Sequence, residues 1–368
     1  MPIIRPDPDF PSSYAQARER FVAAARARGA RLEAFDNPAG PGLDGEPLAT
    51  DVATLGPDDA REVLRITSGT HGVEGYCGSG VQHALLRVGP ELDDALAAGA
   101  RVVLVHAINP HGFSWRRRVT EDNVDLNRNV RRFPVPDGPD PDYDEIHDLL
   151  LPANWPPDAA NAAAVAAFIA RRGLAHFQYA TSKGQWSRPD GLFFCGRAPT
   201  WSRRTLETIL RTRVRGAARL HWIDVHTGLG PAGHGEMIYA GLDVPADLAR
   251  TRACWGPAVT SIYDGSSTSA KIEGMIGGAF YSECPGTALA TIALEYGTLP
   301  FDGMTEALRF DHWVAARAPG DEALRRRARE RMLGAFFVDT DDWKAAILRQ
   351  GRDAVARANA SMRTPVGR

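Results

Sequence analysis

The stretch Glu62-Val63-Leu64-Arg65-Ile66-Thr67-Ser68-Gly69-Thr70-His71-Gly72-Val73-Glu74-Gly75 decides the reading of the fold. Its first half is a short apolar run that predicts a strand. Its second half is a glycine-rich turn carrying a histidine and a glutamate. Residues 78–89 then look helical. Residues 101–109, RVVLVHAIN, are a β-branched apolar run that suits a buried strand. Strand, turn, helix and strand in that order predict a parallel βαβ unit.

Working outward, LHWIDVHTG (220–228), EMIYAG (236–241) and TIALEYGT (291–298) predict three further strands. Residues 12–29, 158–173, 321–333 and 340–357 predict helices, and residues 30–60 a loop with short strands. FPVPDGPDPDYD (133–144) opens an irregular Pro/Asp-rich excursion. A helix follows it with no linker composition. The expectation is therefore one α/β domain over 1–368, with loop insertions at about 130–160 and 180–200.

The 368 residues are 44% hydrophobic and 24% charged, which excludes a disordered chain or a coiled coil. A net charge of −2 argues against a nucleic-acid partner. The arginines at 325–331 are interleaved with Glu322 and Glu330 and read as a solvated helix face. No apolar run approaches the roughly 18 residues of a membrane span. The four cysteines are far apart, and no secretory leader pattern opens the chain, so a cytoplasmic location is expected.

Chemistry gathers at strand ends. His71 and Glu74 stand on one tight turn, Asp224 and His226 end a second strand, and Glu295 lies in a third. In open α/β sheets ligands bind beyond the carboxyl ends of the strands, so these groups can converge. His71, Glu74 and His226 make a His₂Glu set of the kind zinc uses while keeping a position for water. Glu295 is the candidate general base. Asp224 either orients an imidazole or caps a turn. The segment Asn123-Val124-Asp125-Leu126-Asn127-Arg128-Asn129 puts an amide beside a guanidinium, which suits a planar carboxylate. A second arginine near the metal can stabilise an oxyanion.

Three other readings fit less well. Ser79 in Cys77-Gly78-Ser79-Gly80 lacks the first glycine of a nucleophile elbow. Gly69, Gly72 and Gly75 have the wrong spacing for a dinucleotide loop. A carboxylate-binding protein without catalysis would have no use for Glu295.

The order of these motifs resembles the zinc carboxypeptidase superfamily, and most closely its branch called domain of unknown function 2817, over about residues 60–300. The resemblance implies a three-layer α/β/α sandwich around a mixed, mostly parallel sheet. It implies one zinc ion on His71, Glu74 and His226, with Glu295 as base. Asn127 and Arg128 match the pair that grips the substrate's carboxylate, with Arg118 beside the substrate. Arg117 best matches the oxyanion arginine, with Arg116 and Arg118 adjoining it. Tyr239, Tyr263 and Tyr281 occupy the interval where digestive carboxypeptidases keep a mobile tyrosine. The segments 182–193 and 199–202 are expected to line the pocket. The implied activity is carboxypeptidase-like hydrolysis of a small-molecule or peptide amide beside a free carboxylate. The short gap from Arg117 to Asn127 resembles that of N-acyl amino acid deacylases, which gives the alternative.

Overall fold

The run Glu62–Thr67 forms a strand whose residues from Val63 onward are all buried. It is the third of seven: β1 (Arg31–Asp36), β2 (Ala49–Leu55), β3 (Glu62–Thr67), β4 (Arg101–His106), β5 (Arg219–Ala232), β6 (Gly235–Tyr239) and β7 (Ala288–Gly297). The computed structural model, which describes residues 8–363, joins them in one sheet in the order β1-β2-β4-β3-β5-β7-β6. Residues 1–7 and 364–368, included in the expected domain and, at the start, in the leader reading, lie outside the described residues. The central strands β4, β3, β5 and β7 are parallel, while β1, β2 and β6 pair antiparallel at the borders. The sheet is thus mixed, with its parallel part at the centre.

Side chains alternate between two apolar layers, as strand geometry requires. Leu64, Ile66, Ile223, Val225, Ile292 and Leu294 face the helices Tyr14–Ala27, Gly75–Val88 and Asp341–Met362. Val63, Val103, Val105, Trp222 and Leu289 face the helix Trp201–Arg213. Both faces are covered, which explains why these strands read as near-continuous apolar runs. The first helix shows how local signals and packing agree. The Ser13 side chain accepts a hydrogen bond from the Gln16 N–H, a cap that contributes about 1 kcal/mol. Tyr14, Ala17, Phe21 and Ala25 then recur on one buried stripe.

Of the helices beyond the sequence expectation, the longest are Trp201–Arg213, Pro245–Trp255 and Phe301–Arg317. The last buries Asp311 and His312 among its apolar residues, so its stripe is blurred in sequence. Residues 30–60 contribute two real strands. β2 is buried throughout although it is built from small and polar residues. All four cysteines are free and buried. Arg325 and Arg329 pair with Glu322, and Arg331 with Glu306. No helix of the described residues is long and apolar enough to cross a membrane.

The strand order fixes where a ligand can sit. From β3 the chain crosses to β4 on one side, and later reaches β5 on the other. The crevice beyond the carboxyl end of β3 is therefore a topological switch point, where α/β folds place their ligands.

Candidate metal centre

The turn after β3 delivers His71 and Glu74. Gly72 between them has no room for a side chain, since a Cβ would stand 2.0 Å from the Gly112 carbonyl carbon. The N–H groups of Gly72 and Val73 donate to the carbonyls of Arg118 and Arg117, at 3.0 and 2.9 Å. The histidine turn and the arginine run are thereby bolted together. β5 adds Asp224 and His226 on one face, two residues apart. β7 adds Glu295, the register partner of His226.

His71, Glu74 and His226 present one ligand atom each, all within 4.8 Å of one another. His71 Nδ1 lies 2.8 Å from Glu74 Oε1, and His226 Nδ1 lies 2.9 Å from Glu74 Oε2. Behind His226, Asp224 Oδ2 sits 2.8 Å from Nε2. Asp224 also accepts from Thr67 Oγ1 at 2.5 Å and from Thr70 Oγ1 at 3.0 Å. Behind His71, Asp125 Oδ1 is 3.4 Å from Nε2, and Arg118 Nη2 is 2.7 Å from the same nitrogen. Ligation of a cation through His71 Nδ1 would keep the imidazole proton on Nε2, where Asp125 is the carboxylate within reach.

The charges fit such an ion. The carboxylates of Glu74, Asp125 and Asp224, with Glu295 beside them, gather around the two imidazoles together with Arg118 and Arg128, an acid-rich surrounding that suits a cation. Burial drives the Glu74 carboxyl up, but the imidazoles of His71 and His226 outweigh it and hold Glu74 well below the usual range. Burial likewise lowers His226, yet Asp224 and Glu74 lift it well above an ordinary histidine. Imidazole nitrogens with a carboxylate oxygen suit zinc and several other first-row ions.

Glu295 is half-buried at the edge of the cluster. Its Oε1 accepts a hydrogen bond from the Leu229 N–H at 3.0 Å. Loss of water and the neighbouring charge of Glu74 push its carboxyl up to about 7. That value suits a group exchanging protons near neutrality.

The arginines divide. Arg117 turns away: its Nε donates to both oxygens of Asp311, at 2.9 and 3.2 Å, and its Nη2 to Asn123. Arg116 stacks on Tyr76. Arg118 is the one that reaches the cluster, donating to Asp125 Oδ2 at 2.9 Å and Glu74 Oε1 at 3.2 Å. Arg128 is buried and lines the same cavity. Its Nε donates to Ser182 O and its Nη1 to Asn127 O, at 2.8 and 3.1 Å. Asn127 Oδ1 accepts from the Ile276 N–H at 2.9 Å, which leaves its amide N–H₂ available. Gly274, at φ +80°, lets that loop lie directly on the Arg128 carbonyl.

Two participants carry no assigned role in the sequence reading. Asp125 holds Arg118, His71 and the Asn127 N–H at once. Phe193 backs both cavity arginines, with guanidinium centres 5.4 Å (Arg118) and 4.9 Å (Arg128) from its ring centre. Asp125 lies inside the Asn-Arg motif, so its position was the available signal. Phe193 sits in the 182–193 segment expected at the pocket, of which Ser182, Leu192 and Phe193 do line it. Of the three tyrosines only Tyr239 lines the cavity. Its hydroxyl donates to Leu242 O, that of Tyr281 to Asp247, and that of Tyr263 to Gly241 O. Ser79 Oγ lies 3.0 Å from His106 Nε2, but both are sealed in the core. His106 Nδ1 has no hydrogen-bond partner among the described residues, and burial pushes the ring down to about 3, so the pair has no orienting acid.

Among solved structures, the chain is similar to the carboxypeptidase A of Helicoverpa armigera. Identity is 13% with a TM-score of 0.45, covering 89% of this chain and 74% of that one. It is similar to a metallo-carboxypeptidase from Burkholderia cenocepacia, at 11% identity and TM-score 0.41, covering 95% and 69%. A murein-tripeptide amidase from Escherichia coli O157 gives 17% identity and TM-score 0.35, covering 79% and 93%. No curated protein sequence matches it. The family described as Protein of unknown function (DUF2817) matches residues 10–350, and the chain belongs to that family.

Proposed function

We propose that this chain is a zinc-dependent, carboxypeptidase-like hydrolase that cleaves an amide bond beside a free carboxylate. One observation carries the reading: His71, His226, Glu295, Arg118 and Arg128 line a single cavity. Glu74 completes the cluster through its contacts with both imidazoles. His71, Glu74 and His226 would hold the ion. Bound there, zinc lowers the pKa of a water molecule to about 7 and polarises a carbonyl oxygen.

The chain's own residues supply the rest. Arg128 and the free amide of Asn127 hold the substrate carboxylate, with Phe193 keeping the guanidinium in plane. Glu295, its Oε1 fixed by the Leu229 N–H, accepts the water proton on Oε2 and passes it to the leaving nitrogen. Arg118 donates to the oxygen that becomes negative as the carbonyl carbon turns tetrahedral. The oxyanion role thus moves from Arg117 to Arg118. Asp224 and Asp125 orient the two imidazoles.

The test is a panel of dipeptides and N-acyl amino acids, each as free acid and as amide, offered to zinc-loaded protein. Turnover of the free acids is expected, with one zinc per chain by elemental analysis and none in His71→Ala. Glu295→Gln should retain zinc while kcat falls by roughly 10²–10⁴. No turnover across the panel with zinc in place, or wild-type turnover by Glu295→Gln, overturns the proposal.

A further inference from the structure

The cavity holding the cluster encloses about 950 Å³, near the top of the roughly 300–1,000 Å³ range of small-molecule sites. A metal, a water and one amino acid leave most of it vacant of purpose. The unused part is mostly apolar, with Asp302, Glu306 and Arg309 as its charged lining residues. Val165 and Ile169, four apart on the helix Ala159–Arg172, share one of its walls with Phe177. Phe301, Met304 and Leu308 line it from the helix Phe301–Arg317. Residues three, four and seven apart share a helix face, so each helix turns an apolar stripe toward this space. The helix Ala159–Arg172 buries only Phe168, and alanines fill much of the remainder. Its stripe is therefore not spent on packing.

The direction of this wall is defined. The helix Leu174–Ser182 ends at Ser182, whose carbonyl accepts from Arg128 Nε. It begins at Leu174, a cavity-lining side chain that is 54% exposed, as Phe301 is at 53%. At 1.5 Å per residue the wall runs roughly 12 Å from the carboxylate grip to an apolar mouth. Leu229, whose N–H holds Glu295, packs on the same apolar cluster as Met304, Leu308 and Phe336. The general base thus stands where the polar grip gives way to the apolar wall. An occupant matching this layout has a carboxylate, then an amide, then a long apolar tail.

Resting on the hydrolase reading above, we infer that the substrates are amino acids N-acylated with long aliphatic chains. Water oxygen adds to the acyl carbon, the C–N bond breaks, and the amine leaves with the proton that Glu295 took. The products are a fatty carboxylate and a free amino acid. A peptide with an apolar penultimate side chain would fill only the inner part of the wall.

The experiment measures kcat/KM of the zinc-loaded protein on one amino acid carrying acetyl, hexanoyl, decanoyl or tetradecanoyl groups, all below their micelle concentrations. The value should rise up to about fourfold per added methylene, which is the ~0.8 kcal/mol of each buried CH₂ converted at 1.4 kcal/mol per tenfold. Ile169→Trp, at a half-buried position, should shift the optimum toward shorter chains, lowering the tetradecanoyl-to-hexanoyl ratio roughly tenfold. A flat series with steady turnover of the acetyl substrate or of peptides overturns the acyl-chain inference and leaves the hydrolase standing. Should no compound be hydrolysed, the hydrolase reading fails by itself. Calorimetric binding of the same series to zinc-loaded Glu295→Gln then decides the tail: Kd falling with chain length supports the apolar site, and Kd independent of length overturns it.

Discussion

Asp224→Asn isolates the support behind one metal ligand. The carboxylate is buried and touches His226 Nε2, Thr67 Oγ1 and Thr70 Oγ1, but none of the three ligand atoms' shared space. Asparagine keeps the size and hydrogen-bonding reach and removes the charge. It also offers an N–H₂ that can face His226 Nε2, which would move the imidazole proton to Nδ1 and block that ligand. A hydrogen bond to a charged group contributes roughly 1.5–3 kcal/mol, or about 10- to 150-fold. Partners behind metal ligands typically matter by 10–100-fold in affinity. Zinc Kd, measured by competition with a chromophoric chelator, should therefore rise by roughly 10–100-fold. Thr67, itself held by the Trp222 indole N–H at 2.9 Å, keeps its geometry, so far-ultraviolet circular dichroism should not change. Asp125→Asn gives the contrast. Its contact with His71 is longer, 3.4 Å, and its main load is Arg118, so it should weaken zinc less and turnover more. A folded Asp224→Asn protein with unchanged zinc Kd would refute the reasoning that this carboxylate sets the tautomer.

The adjacent arginines should separate cleanly. Arg118→Ala should cut kcat by roughly 10²–10³, whereas Arg117→Ala should act on stability, because it strands the buried Asp311 carboxylate, at about 3–5 kcal/mol in urea unfolding. Equal kcat losses in the two would count against the assignment. Arg128→Ala and amidation of the substrate carboxylate should each lower kcat/KM by about 10- to 150-fold and should not add when combined; additive losses would make Arg128 a structural residue. Buried His106, held down to about 3 against 6.5 for a free side chain, stays neutral in the folded chain while the unfolded chain takes up a proton. Stability is therefore lost as pH falls below about 6.5, and between pH 6 and 4 wild type should lose about 1.4 kcal/mol per pH unit more than His106→Gln; parallel curves would show that His106 titrates normally.

The central strands and their polar ends were legible because both rest on local patterns. β-branched runs mark buried parallel strands, and a histidine or glutamate at the end of such a run is conspicuous. The arginine run was illegible for an equally local reason. Arg116 adopts φ +54°, so three consecutive arginines follow neither helical nor strand periodicity. Only the backbone bonds from Gly72 and Val73 to their carbonyls decide which side chain faces His71. Phe193 also has positive φ, 53°, and its stacking under two arginines comes from a loop without sequence period. β2 was expected only as one of the unbounded short strands in 30–60, because Ala, Thr and Asp carry little apolar signal, and its burial comes from neighbours such as Tyr14, whose hydroxyl binds Ala49. The apolar wall lies on helices whose stripes look like ordinary packing faces until the space opposite them is seen.

The pairing of His226 with Glu295 across β5 and β7 has a consequence for change over time. The spacing between a metal ligand and the proton acceptor is held by the backbone ladder, which no side-chain substitution outside the two strands can stretch. A slip by one residue would throw one of the two to the opposite face, so the ladder is inherited whole or lost whole. The helix Ala159–Arg172 is under no such constraint. It lines the cavity through Val165 and Ile169 but holds neither that spacing nor Asn127 and Arg128. Lineages can therefore lengthen, shorten or exchange this wall while the paired residues at the strand ends stay in place.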